Sequence, residues 1–423
     1  MKFAHVRVCI TPRVGTPLAG YQRRPTSLGV YDDLYLQALL LEDAGGRRLL
    51  TVNADLLGFD GVFVDRIRRW LQRRDPSLAP ERVLFATTHT HCGPATCRIV
   101  SSAGKPDAVY LAFLEATVKD TLVQLLGMPL EPAALSCGAT TCRLGINRRL
   151  PVRELVDGVM VAGVRIRPNP EGVVDSRLTL LQVAGRSKEV LLVNYACHPT
   201  TRSGYMISGD YPGAVARSLR AGHGDRRAVM FLQGAAGDIR VPCMNTQKTA
   251  FVSGSSEHVV EYGAQVAQAV ERLLRRGLVR QRADFAAGRR AFRLPYDQAG
   301  GRLSDAGAAW RATARWRLRH GGRYGVPMEW TVWRVSRDCT ILALPGEVCC
   351  DLGIQSKKQV SGRFPLFVAY ANGCPCYVPS DRILREGGYE ARSSMAVYGH
   401  FWPLRQGLDQ LIGSELAKLL SAI

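Results

Sequence analysis

The run Val83-Leu-Phe-Ala-Thr-Thr88-His89-Thr90-His91-Cys92-Gly93-Pro94 decides how the rest of the chain reads. Its first six positions are too few for a helix and predict a short buried strand over 83–88. The strand stops abruptly at His89, and Gly93-Pro94 marks a turn. Side chains alternate along an extended segment, so His89 and His91 are expected on one side. One can then ligate a metal while the other faces substrate, or both can ligate. An isolated H-x-H also arises by chance, but the chain has only eight histidines, and two of them fall here after a strand.

The same punctuation recurs downstream. A buried strand predicted over 190–196 ends at His198, inside Asn194-Tyr-Ala-Cys-His198-Pro199-Thr200. Another over 228–233 runs into Gly234-Ala-Ala-Gly237-Asp238. A third over 340–344 ends in Pro345-Gly346-Glu347, and a fourth covers 366–370. In layered α/β folds, ligands bind beyond the carboxyl ends of strands, where loops converge. Upstream, strands over 35–42 and 49–53 flank the turn Asp43-Ala-Gly-Gly46. Helices are predicted over 61–72 and 211–220. A third begins at a Ser255 or Ser256 cap, with Val259, Tyr262, Gly263, Val266, Ala267, Val270, Leu273 and Leu274 on one face. This order predicts an α/β class of layered mixed sheets flanked by helices. One domain spans 1–423, with halves 1–276 and 326–423 joined by a polar Gly- and Arg-rich stretch, 277–325.

The 423 residues suffice for a sizeable core, and no apolar run reaches the roughly 18 residues of a membrane span. The amino terminus lacks a leader-like apolar region, so a soluble, cytoplasmic protein without stable membrane insertion is expected. The twelve cysteines show no paired C-x-x-C spacing and read as buried thiols. The net charge of +20 is carried mostly by dispersed arginine with no nucleic-acid motif, which reads as a solvated basic surface rather than a nucleic-acid interface.

Taken singly, His198 reads equally as a hydrogen-bonded turn histidine, Glu347 as a loop carboxylate, and Tyr377 and Tyr389 as packing tyrosines. Together, two histidines, a glutamate and a tyrosine meet the count of a hydrolytic zinc site, which needs three or four N/O ligands and an open position.

The motifs, in order, resemble the neutral/alkaline non-lysosomal ceramidase family. They run from Ile10-Thr-Pro12, Gly20-Tyr21 and Asn53-Ala54-Asp55 through the T-H-T-H-x-G-P motif to Ile146-Asn147-Arg148 and the His198 segment. Ser208-Gly209-Asp210, Gln233, Gly237-Asp238, Pro345-Gly346-Glu347, Tyr377-Val378 and Tyr389-Glu390 follow. The resemblance implies a catalytic Zn2+ held by His89, His198, Glu347 and Tyr377, with His91, Arg148 and Tyr389 as catalytic groups. Arg148 would stabilise charge on the attacked carbonyl oxygen, Tyr389 would hydrogen-bond the same oxygen or position the amide, and His91 would shuttle a proton to the leaving amine. It also places Arg240, Asp238 and Cys92 in the substrate-binding set.

Three departures shape the expected activity. The family has a serine two residues after its Gly-Asp pair, where this chain has Arg240, so a serine acyl-enzyme there is excluded and zinc-bound water becomes the attacker. Cys92 replaces the serine after the second histidine. No segment corresponds to the family's carboxy-terminal β-sandwich. An arginine beside the reacting centre favours an anionic group. The expected function is thus a zinc-dependent hydrolase of amide bonds in a soluble, anionic N-acyl or peptide-like small molecule. Alternative readings are a zinc-dependent lactam- or amide-forming cyclase or acyl transferase, a true ceramidase, and a non-catalytic basic binding protein.

Overall fold

The computed structural model describes residues 1–21, 26–97, 106–156, 159–303 and 308–423. Three mixed sheets build the scaffold. The first runs Val83–Thr87, Arg48–Ala54, Tyr35–Glu42, Lys2–Cys9, Glu131–Pro132; the second runs Arg227–Gln233, Glu189–Tyr195, Arg177–Ala184, Ala134–Thr141, Val279–Gln281. The third runs Ala286–Leu294, Val326–Arg334, Cys339–Ala343, Phe364–Val368. Each has a single parallel pair at one edge: Arg48–Ala54 with Val83–Thr87, Glu189–Tyr195 with Arg227–Gln233, and Cys339–Ala343 with Phe364–Val368. The remaining pairings in the three sheets are antiparallel.

The two-residue period of the strands sorts their side chains between cores. Leu39 and Leu41, Val190 and Leu192, and Ile341 and Ala343 all enter one central cluster shared by the three sheets. Their neighbours point outward: Ala38 and Leu40 into a second cluster, Leu191 and Val193 into a third, Leu342 into a fourth. Helices close each outer face. Gly61–Gln72 and Ala108–Gly127 cover the first sheet, Asp210–Arg220 and Ser256–Arg276 the second, and Leu408–Leu420 with Cys350–Lys357 the third. Strands buried on both faces are apolar at most positions, which is why they read as near-continuous runs.

The helix over 61–72 stands as predicted, with Asp60 accepting from the Val62 N–H at 3.0 Å. The long helix starts after Ser255, whose N–H donates to His258 Nδ1 at 3.2 Å, and its predicted face is buried except for the partly exposed Leu274. The stretch 277–325 contains Val279–Gln281, Ala286–Leu294 and the helix Ala308–Arg319; its positions 304–307 lie outside the described residues. Ala286–Leu294 is polar because it is an edge strand, with Arg289 and Arg293 exposed on its wet face. The sequence reading also lacked a hairpin, Ile146–Val156 with Val159–Asn169, whose base pairs with Ile239–Arg240. All twelve cysteines are free thiols, and only Cys9 is exposed. No helix among the described residues is long and apolar enough to cross a membrane.

Candidate metal centre

The three parallel pairs deliver their carboxyl-end loops to one place. His89 and His91 follow Thr87, His198 follows Tyr195, Asp238 and Arg240 follow Gln233, Glu347 follows Ala343, and Tyr370 and Tyr377 follow Val368. Here His89 Nε2 stands 3.3 Å from Glu347 Oε2, and His198 Nε2 stands 3.5 Å from the same oxygen. His91 Nε2 lies 3.4 Å from His89 Nε2 and 3.0 Å from His198 Nε2. The three histidines form a group able to hold a metal ion.

Their backbones explain the aim of each ring. His89 is not extended but left-handed, with φ of +63°. It therefore meets His91 through a turn rather than through strand alternation, and the expected extended geometry does not apply. Its Nδ1 lies 2.5 Å from the Leu57 carbonyl, and His198 Nδ1 lies 3.0 Å from the Ala236 carbonyl. A carbonyl only accepts, so both Nδ1 atoms carry the proton and both Nε2 atoms turn lone pairs inward, the tautomer a metal ligand requires. The His89 ring stacks on Tyr370, 3.9 Å between centroids, and Tyr370 is itself left-handed at φ of +54°. Such conformations cost roughly 1–3 kcal/mol each and gather at functional sites.

Glu347 is delivered by the Pro345-Gly346 bend. Gly346 has φ of +90°, and a Cβ there would sit 2.5 Å from the Cys376 carbonyl oxygen, so only glycine fits. Glu347 and Tyr377 are directly opposed in a two-residue parallel ladder. Tyr398 donates to Glu347 Oε1, while Oε2 is buried with no hydrogen-bond partner. An orphaned carboxylate oxygen facing two inward lone pairs is a set of donors suited to a divalent cation.

The charges agree with that. Burial pushes the Glu347 carboxyl up, but attraction to His89 and the hydrogen bond from Tyr398 outweigh it and hold the group at about 2. Burial, reinforced by His89, drives His198 well below its ordinary value and keeps it neutral. Burial likewise raises the Tyr377 phenol, against the pull of Arg148.

Arg148 reaches in from the base of the hairpin. Its Nη2 donates to Tyr377 Oη at 3.0 Å and its Nε to Glu390 Oε1 at 2.8 Å. Burial opposes its charge, but Tyr377 and Glu390 more than offset this, and it stays cationic. Tyr389 packs against Tyr377, 5.4 Å between rings. His91 lies edge-on to Tyr21 at 4.8 Å, and Gly20 permits the approach because a Cβ there would sit 2.4 Å from His91 Cγ.

The proposed substrate-binding set divides. Arg240 is bridged through its backbone to His198 and sits at the site. Asp238 is fully buried, its oxygens taken by the Cys350 N–H at 2.7 Å and Asn147 Nδ2 at 3.1 Å, and burial pushes it up to about 6. Its main-chain oxygen accepts from the Arg148 N–H at 2.9 Å, so it braces the segment that carries Arg148. Cys92 is buried, with Sγ 3.7 Å from the Arg202 carbonyl.

Sequence reasoning missed Tyr398, Tyr370 and Arg149, and assigned Glu390 no role. Tyr370 closes the strand predicted over 366–370, the doublet Arg148-Arg149 and the Tyr389-Glu390 pair carry a motif signal, and Tyr398 has no local signal. Tyr398 makes a separate prediction. By occupying Oε1 it leaves Oε2 open toward the two histidines, so Tyr398→Phe should weaken the affinity of the site for a divalent metal about 10–100-fold, the usual effect of losing such a supporting bond. A chelator competition titration measures this, and an unchanged affinity would remove Tyr398 from the site.

The sequence matches no family model and no curated protein. Among solved structures, the neutral ceramidase from Pseudomonas aeruginosa is similar, with a TM-score of 0.75 and 15% identity over 100% of this chain and 75% of that one. A ceramidase complexed with C2 gives the same values. The fold is ceramidase-like. At this identity the likeness is one of fold. Within the ceramidase-like scaffold, the three edge pairs are what bring the histidines and Glu347 together.

Proposed function

We propose that the chain is a zinc-dependent hydrolase that cleaves the amide bond of an N-acyl or peptide-like small molecule. The observation that carries this reading is the convergence of two inward Nε2 lone pairs on the partnerless Oε2 of Glu347, beside a fixed Arg148 cation. His89, His198, Glu347 and Tyr377 would hold the metal. When bound, zinc supplies Lewis acidity that polarises a carbonyl and makes water a nucleophile near neutral pH.

The remaining work belongs to the side chains. Arg148 is held by Glu390 so that its Nη2 points at the Tyr377 oxygen, and from there it can meet an oxygen that gains negative charge. Tyr389, edge-on to Tyr377, orients the amide. His91 carries a proton to the departing nitrogen, since its Nε2 lies 3.0 Å from His198 Nε2 at the heart of the cluster.

The test is incubation of the zinc-loaded protein with a panel of N-acyl amino acids, read by mass. Cleavage with the gain of one water supports the reading; a product that has lost water instead would point to the amide-forming alternative. Arg148→Ala should then lower kcat about 10²–10³-fold, the range for losing one donor to a developing oxyanion. An effect confined to KM would mean that Arg148 only binds substrate.

A further inference from the structure

Arg68, Arg148, Arg149 and Arg227 are all buried, and each is paired with a carboxylate: Glu329, Glu390, Glu390 with Glu386, and Glu189 with Glu271. Arg240 differs. It is partly buried, and among the described residues its guanidinium makes no ion pair and no hydrogen bond. One face of it lies over the Phe251 ring at 4.7 Å. Burial is the main influence that lowers its pKa; Tyr21 opposes this and Arg148 adds repulsion. Asp210 attracts it weakly, but the Asp210 oxygens already accept from the Tyr211 N–H at 2.6 Å and the Arg202 N–H at 3.3 Å.

The backbone fixes this cation in place. Ile239–Arg240 pairs with Ile146-Asn147 on one side, and Arg240 bridges His198 on the other. Ile239 points into the apolar cluster beneath the second sheet, so Arg240 points to the opposite face. There its neighbours include Arg148 and Tyr21, and Tyr21 packs on His91. A cation held partly out of water with no paired anion is poorly compensated, and its planar fork is suited to a bidentate oxyanion.

We infer that Arg240 anchors an anion subsite beside the metal centre, which takes a carboxylate on the substrate close to the scissile amide. The inference rests on the amide-hydrolase reading and deepens it by naming the charge of the substrate. Phe251 supports one face of the fork and leaves its donor edge for the ligand.

Two small probes separate this inference from the reading beneath it. Acetohydroxamate binds zinc without any further charge; succinomonohydroxamate adds a carboxylate on a short arm, and the malonic and glutaric homologues vary its reach. Calorimetric titration of the zinc-loaded protein should show at least one carboxylate probe binding about 10–100-fold more tightly than acetohydroxamate, the worth of hydrogen bonds to a charged group. Arg240→Gln should erase that preference with acetohydroxamate binding retained, and Arg240→Lys should keep part of it. Equal affinities across the series in the unaltered protein, or a preference that survives Arg240→Gln, would overturn the subsite and leave the metal reading standing. A protein that takes up no zinc, or binds no hydroxamate when loaded, overturns both.

Discussion

Glu347→Ala and His89→Ala are expected to emerge from purification without metal, while the unaltered chain carries about one zinc per molecule, as a single mononuclear site would. Among the described residues, Glu347 supplies the only carboxylate oxygen against the two Nε2 atoms, and its partner Tyr398 would be left facing a void. His89 contributes a ring aimed by Leu57 and stacked on Tyr370, on a backbone at φ of +63°. Losing either should exceed the 10–100-fold effect expected of a supporting residue, because a bond to the metal itself is gone. Elemental analysis after dialysis gives the answer. Metal retained in both variants would move the site elsewhere. Metal absent from the unaltered protein, with no uptake on titration, would end the zinc hydrolase reading. His91→Ala separates two uses of the three-histidine cluster: zinc content persists if His91 faces substrate, and falls if it ligates.

Glu390→Ala should be the most destabilising single substitution near the site, at about 3–5 kcal/mol, the range for removing one partner of a buried ion pair. Glu390 is 1% exposed and bridges Arg148 Nε at 2.8 Å and Arg149 Nη1 at 2.6 Å. Arg149 keeps Glu386 and the Gly387 carbonyl, so most of the loss falls on Arg148. Chemical denaturation of the two proteins measures it, and a difference under about 1 kcal/mol, the scale of an exposed pair, would show that the bridge is solvated.

The same bridge carries a pH signature. Burial raises the Glu390 carboxyl, but Arg148 and Arg149 outweigh it and hold the group below the usual carboxylate range. A depressed native value means that the stabilisation is complete above the unfolded value of about 4.3 and fades as pH falls through the native one. Stability of the unaltered chain should therefore drop more steeply in acid than that of Glu390→Gln.

Much of this arrangement was legible in the chain because strand ends are local events. Val83–Thr87, Glu189–Tyr195 and Cys339–Ala343 are short apolar runs buried on both faces, and each hands over within a few residues to His89, His198 or Glu347. The helix over 61–72 and the long helix capped at Ser255 follow from periodicity and capping alone. The hairpin carrying Arg148 was not legible, because both faces of its outer strand are largely exposed and no alternation marks it. The edge strand Ala286–Leu294 reads as a polar connecting stretch for a related reason, its arginines lying on a wet face.

The sequence by itself determined the class of fold, the strand ends that carry the chemistry, and the residue types available for a metal. Only the tertiary structure decided which atoms meet. Glu390 and Arg148 are 242 positions apart, and Tyr398 and Glu347 are 51 apart. Their pairing depends on three sheets sharing one core, a condition that no local pattern encodes. The direction of each histidine was also decided late, by the carbonyls of Leu57 and Ala236. A side chain can be read from the chain, but its lone pair points where the fold around it places a partner for the opposite nitrogen.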